Sequence, residues 1–147
     1  MLATAFKQLY EKLRLHFYMS IFSNCEDKEE TLTTMESFSM EVINALGKPT
    51  VARFAKVLGL SSPNAAHRIK TLIQKGYIEK VQSEEDGREF YLKPTKKYTD
   101  YCLIKEDYIN LLMDRCKQRF EPDDYNKLEE MLTIISKELM PEINGVL

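Results

Sequence analysis

The stretch from Thr50 to Pro94 limits what this chain can fold into more than any other part of it. Val51, Phe54, Ala55 and Leu58 form a short apolar face at helical spacing, Gly59-Leu60 and Ser61-Ser62-Pro63 follow at once, and a second helical pattern runs to Gly76. Two short helices therefore meet at a tight turn. Ser62 is expected to cap the second helix and Pro63 to sit in its first turn, where a missing amide costs nothing. With Ile69 at the centre of the buried side, helical spacing places Ala65, Ala66, Leu72 and Ile73 beside it. Asn64, His67 and Thr71 then face outward, flanked by Pro63, Arg68, Lys70 and Gln74. From Tyr77-Ile78 through Val81 the pattern turns to β-branched alternation. Asp86-Gly87 signals a hairpin turn whose two central positions take positive φ, and Phe90, Tyr91 and Leu92 return before Pro94. Helix, turn, helix and hairpin in this order predict a winged helix-turn-helix.

The flanks are helical. Leu2, Phe6, Leu9, Leu13 and Phe17 recur at steps of three and four, the mark of an amphipathic helix from Leu2 to Phe22, and the polar stretch from Ser23 to Thr31 reads as a loop. Thr33-x-x-Glu36 is a capping box that opens a helix with Met35, Phe38, Val42, Ile43 and Leu46 on one face, closed by Gly47 and Pro49. After Thr95 one long helix carries Tyr98, Tyr101, Tyr108, Leu111, Leu112 and Met113 to about Phe120. Pro122 begins another with Tyr125, Leu128, Leu132, Ile135 and Leu139. The first and last two helices hold more apolar surface than one core of 147 residues needs, which predicts pairing with a second chain. The expected architecture is mainly α with a small β-hairpin wing. Residues 31–97 form the winged helix-turn-helix, and residues 1–30 and 98–147 form a helical dimerisation scaffold.

Net charge is −2, so the global balance points to no nucleic acid, but its distribution is uneven. Between Lys48 and Lys97 the balance is +6, and in the remainder it is −8. A basic middle sits between acidic flanks. No apolar run is long enough for a membrane span, and Lys7, Glu11, Lys12 and Arg14 interrupt the apolar start as no secretory signal would allow, so a cytoplasmic location is expected. Cys25, Cys102 and Cys116 lack C-x-x-C spacing, which argues for reduced thiols and against a structural zinc.

Catalytic chemistry is not legible. His16 and His67 are the only histidines, and no G-x-S-x-G, H-E-x-x-H or phosphate-binding glycine loop occurs, so neither enzyme activity, metal nor cofactor is expected.

In its order of elements and its motifs the chain resembles the MarR family of transcriptional regulators over nearly its whole length. The family's wing pattern is matched by Asp86-Gly87-Arg88 followed by Leu92 and Thr95, with Pro94 and Tyr98 as departures, and the helix-turn-helix pattern by Ala55, Gly59, Ser61, Leu72 and Gly76. The resemblance implies a homodimer, interlocked through its first and last two helices, that binds double-stranded DNA at a pseudo-palindromic operator. Repression relieved by a small-molecule effector is the family habit. On that basis Ser62, Pro63, Asn64, His67 and Thr71 enter a major groove, where Asn64 suits adenine. Arg68, Lys70 and Lys75 neutralise phosphate, Arg88 enters the minor groove, and Asp86 orients the wing as a salt-bridge partner. An apolar effector site is expected where the first helix meets the winged domain and the fifth helix. Tyr10, His16 and Phe17 are its candidates, with Tyr18, Phe38, Tyr98 and Tyr101 nearby. Two alternatives stay open: a winged helix that binds protein rather than DNA, and a thiol-based redox sensor at Cys25. The latter is opposed by Glu26 and Asp27, which raise a neighbouring thiol's pKa.

Overall fold

The computed structural model describes residues 1–24 and 31–144. Among them are six helices and one hairpin: α1 (Leu2–Asn24), α2 (Thr34–Leu46), α3 (Val51–Leu58), α4 (Ser62–Gln74), β1 (Ile78–Gln82), β2 (Phe90–Pro94), α5 (Lys96–Arg119) and α6 (Pro122–Glu138). The expected order is met element by element.

Local chemistry sets the boundaries. The Thr33 hydroxyl accepts from the Glu36 amide at 3.2 Å, and Glu36 Oε2 accepts from the Thr33 amide at 2.8 Å, so the capping box is closed in both directions. Gly59, at φ 63, makes the left-handed step that lets α3 turn into α4. The α4 cap is Ser61 and not Ser62. Ser61 Oγ accepts from the Asn64 amide at 3.4 Å, while the Ala65 amide that a Ser62 cap would need already donates to the Ser61 carbonyl at 2.9 Å. Pro63 stands in the first turn of the helix as expected.

The hairpin pairs Ile78 with Pro94 and Gln82 with Phe90, leaving a seven-residue tip, residues 83–89. Neither Asp86 nor Gly87 takes positive φ. The two-residue turn expected from that dipeptide is replaced by a longer loop that side chains organise. Ser83 Oγ accepts from the amides of Glu85 and Asp86, and the Ser83 amide donates to the Glu89 carbonyl at 2.9 Å. On its other edge β2 meets the segment after α2, where the Leu92 amide donates to the Pro49 carbonyl at 2.9 Å.

One core lies among these elements. Phe54, Met40, Ile43, Leu72, Ile78 and Leu92 are fully buried, joined by Ala65, Ile69, Tyr77 and, from α5, Tyr98. Emptying the Phe54 site by substitution with alanine would cost about 3–5 kcal/mol. The buried face of α2 is Ser39, Met40, Val42 and Ile43, whereas Met35 and Phe38, expected on that face, are exposed. On α4 the buried face is Ala65, Ile69 and Leu72, and Ala66 and Ile73 are exposed. Both helices are thus rotated relative to the sequence expectation: the small residues Ser39 and Ala65 are fully buried, and the larger Phe38 and Ile73 are turned outward.

Outside this core the helices are thinly covered. α1 lies along α5, with Ile21 buried, but Leu2, Phe6 and Leu9 are exposed. α6 has no buried residue. No described helix is long and apolar enough to cross a membrane.

Candidate functional site

Rotation of α4 changes which side chains face outward. Ser62, Pro63, Asn64, His67 and Lys70 are exposed, and Gln74 continues the same face. Thr71 is half-buried, and its hydroxyl donates to the His67 carbonyl at 3.1 Å within the helix. Arg68 is also half-buried and points toward α2, where a guanidinium nitrogen donates to Ser39 Oγ at 3.5 Å. Lys75 is taken up still more fully, in hydrogen bonds to Glu36 at 2.7 Å and to the Thr31 carbonyl at 2.9 Å. The outward cations of this helix are therefore fewer than spacing alone implies.

The wing projects to the same side as the start of α4. A cleft of about 310 Å3 separates them, with Ser62 and Ala65 on the helix side and Lys80, Arg88 and Phe90 on the hairpin side. Arg88 is exposed. Asp86 does orient the tip, but through the backbone: its Oδ1 accepts from the Arg88 amide at 3.0 Å, an Asx turn rather than the expected salt bridge. The Lys80 ammonium stands 4.8 Å from the centre of the Phe90 ring, so a cation that no sequence motif singles out also lines the cleft. The first turn of α4 holds no acidic residue, so its positive pole faces the same opening as Arg88 and Lys80, with Glu89 of the hairpin as the one carboxylate lining the cleft.

A second cleft, about 360 Å3, opens where α1 meets α2 and α5. Tyr10, Leu13, Phe17, Tyr18, Ile21 and Tyr101 supply aromatic and apolar walls, and Arg14, Ser37, Glu41 and Lys105 supply polar groups. Tyr10 and Phe17 are brought together there. His16 is not among the lining residues and stacks on Tyr108 instead, with ring centroids 3.5 Å apart. Tyr98 lies in the core and Phe38 on the outer surface. Lys105 donates to Glu41 at 3.2 Å and lies 5.5 Å from the Tyr101 ring centre. The spacing of Ser37 and Glu41, one turn apart and opposite the buried face of α2, could have signalled their place in the wall.

Of the thiols, Cys25 lies outside the described residues. Cys102 is half-buried on α5, where burial pushes its pKa up.

The comparisons with known proteins agree with this geometry. Residues 33–90 match the model of the MarR family. No curated protein matches the chain. Among solved structures, FabT of Streptococcus pneumoniae in complex with DNA is 18% identical with a TM-score of 0.62, covering 96% of this chain and 99% of its own. A mutant of S. aureus MepR bound to an oligodeoxyribonucleotide is 12% identical with a TM-score of 0.60, covering 95% and 98%. A MarR protein from Peptoclostridium difficile is 22% identical with a TM-score of 0.53, covering 97% and 92%. At these identities the structures show a shared fold from end to end. Residues 33–90, the segment that carries the helix-turn-helix and most of the wing, are thus similar to the MarR family.

Proposed function

We propose that the chain is a DNA-binding transcriptional regulator that grips a pseudo-palindromic duplex as a homodimer, with half-sites roughly 10 bp apart. The observation that carries this reading is the shared opening of α4 and the wing, where the exposed polar start of α4 and Arg88 stand on the two sides of one cleft. Ser62, Pro63, Asn64, His67 and Lys70 enter the major groove, with Thr71 at its edge, and Asn64 bonds an adenine edge. Arg88, held by Asp86, enters the flanking minor groove, where guanidinium is favoured by the negative potential. Arg68 supports α4 from behind. The similar folds of FabT with DNA and MepR with an oligodeoxyribonucleotide support the reading. Residues 31–97 form the reading unit in this account, and residues 1–30 and 98–147 pair the two copies.

The α1–α2–α5 cleft is the effector site of the same account. Its aromatic walls, with Arg14 and Lys105 outnumbering Glu41, fit an aromatic or acyl acid. Such a ligand acts only through its differential affinity for two spacings of the reading helices, and release of DNA makes the protein a repressor.

The test is selection of bound duplexes from genomic fragments, followed by a salt titration of the winner and of random DNA. Affinity should fall steeply with salt for both, and the winner should bind at least a thousandfold more tightly. Indifference to salt and sequence would overturn the reading in favour of a protein partner.

A further inference from the structure

Lys75 ends α4, and its ammonium does not face outward. It donates to Glu36 Oε2 at 2.7 Å and to the Thr31 carbonyl at 2.9 Å, and the two side chains are only 19% and 15% exposed. The same carboxylate oxygen accepts from the Thr33 amide at 2.8 Å, so one atom both closes the cap of α2 and ties down the end of α4. A second tie lies further along the same two helices. Arg68 donates to Ser39 Oγ at 3.5 Å, and that hydroxyl, fully buried, donates to the Met35 carbonyl at 2.8 Å. From α5, the Lys97 ammonium donates to the Lys75 carbonyl at 2.8 Å. The end of α4 is thus fixed by side chain on one neighbour and by backbone on another.

We propose that Glu36 is a positioning residue for the reading helix: by holding Lys75 against the N-terminus of α2 it sets the seat of α4 on duplex DNA, and Lys75 itself makes no phosphate contact. The inference rests on the DNA-binding reading above. Lys75 cannot serve a phosphate without leaving the Glu36 carboxylate largely buried and uncompensated, and losing one partner of such a pair is strongly unfavourable. Base readout in turn needs side chains held to within about half an ångström by supporting groups. Glu36 and Lys75 provide that support at the end of α4 remote from Asn64, where a small rotation swings the groove-facing end most.

The experiment compares Glu36→Gln, Lys75→Gln and the double substitution. Glutamine still serves a capping box, so Glu36→Gln keeps the start of α2 while removing the charge that holds Lys75. If Glu36 seats the helix, each single variant loses on the order of tenfold in affinity for the selected duplex, and the double loses no more than either, as coupled neighbours do. Affinity for random duplex and the salt slope stay at wild-type values, which general unfolding would not permit. A phosphate-binding Lys75 predicts the reverse: Glu36→Gln frees the ammonium and tightens binding, while Lys75→Gln lowers the salt slope by about 1. That result overturns the proposal. If wild type binds no duplex, the DNA reading fails, and amide exchange decides the seat alone. Faster exchange at residues 71–75 in Glu36→Gln upholds it, and unchanged exchange overturns it.

Discussion

The imidazole of His16 lies flat on the phenol ring of Tyr108, with ring centroids 3.5 Å apart and planes within 15°, and Phe17 meets both rings edge-on. This stack is a seam between α1 and α5, and it turns His16 away from the cleft that Tyr10 and Phe17 line. The consequence is a division of labour between residues only one or two turns apart. Tyr10→Ala should weaken release of DNA by an aromatic acid while leaving unfolding unchanged. His16→Ala should cost about 1 kcal/mol of stability, the worth of an aromatic pair beyond its buried area, with the ligand response kept. Calorimetric unfolding beside a DNA-release titration separates the two, and a lost ligand response in His16→Ala with Tyr10→Ala intact would reverse the assignment.

Asn64 and Arg88 stand at the two ends of the candidate interface and should fail differently. Asn64→Ala is expected to cost about 1–3 kcal/mol on the selected duplex and little on random DNA, as a bidentate base contact does. Arg88→Ala should weaken binding most when the flank is A·T-rich, because its minor groove is narrow there. Binding measured on duplexes with exchanged flanks checks both. Uniform losses across sequences would make both residues general surface groups.

Much of this was legible in the sequence because the signals are local. Thr33 and Glu36 close a capping box that depends only on their spacing, Gly59 permits one backbone step, and Pro94 ends a strand for want of an amide. What was not legible is what two elements decide together. The rotation of α4 follows from Ala65 packing into the core, which sends Ile73 outward and Arg68 toward Ser39. Spacing gives an apolar stripe but not its centre when alanines border it. The wing tip escaped for a different reason. Asp86-Gly87 has the composition of a two-residue turn, yet Ser83 captures two amides and Asp86 a third, and those bonds settle a longer loop. Glu36 was readable as a cap and not as the partner of a lysine 39 positions away.

The pair it makes gives stability a pH dependence. Burial pushes the Glu36 carboxyl up, but hydrogen bonds and charge from Lys75, with the hydrogen bonds from Thr33, outweigh it and hold the group below the usual carboxylate value. A depressed folded-state value means that the unfolded chain binds the proton more readily, so this contribution is full above the ordinary glutamate range and is lost as pH falls through the folded value. Urea midpoints measured from pH 7 downward should therefore fall more steeply in wild type than in Glu36→Gln below about pH 4.5. Parallel curves would remove Glu36 from the acid response.

The apolar surface left open on the helical flanks bears on assembly. Among the described residues of α6 none is buried, and Met131, Leu132, Ile134 and Ile135 are exposed, as are Leu2, Phe6 and Leu9 on α1. Monomeric proteins rarely show contiguous apolar patches of more than a few hundred Å2, so helices this bare call for a cover. In the proposed homodimer a second copy of the same chain would supply matching faces, and a two-fold pair would also present two copies of α4 to one duplex. Joining two weak half-site contacts makes the second intramolecular, which raises affinity by about 10²–10⁴ without any new contact. Replacing Leu132 and Ile135 together by aspartate puts charge on that face while leaving the core around Phe54 untouched. The expected outcome is a folded monomer by sedimentation at micromolar concentration, with helical content retained and affinity for the full operator reduced to that for an isolated half-site. A wild-type chain that sediments as a monomer at that concentration, with or without DNA, would exclude the dimer.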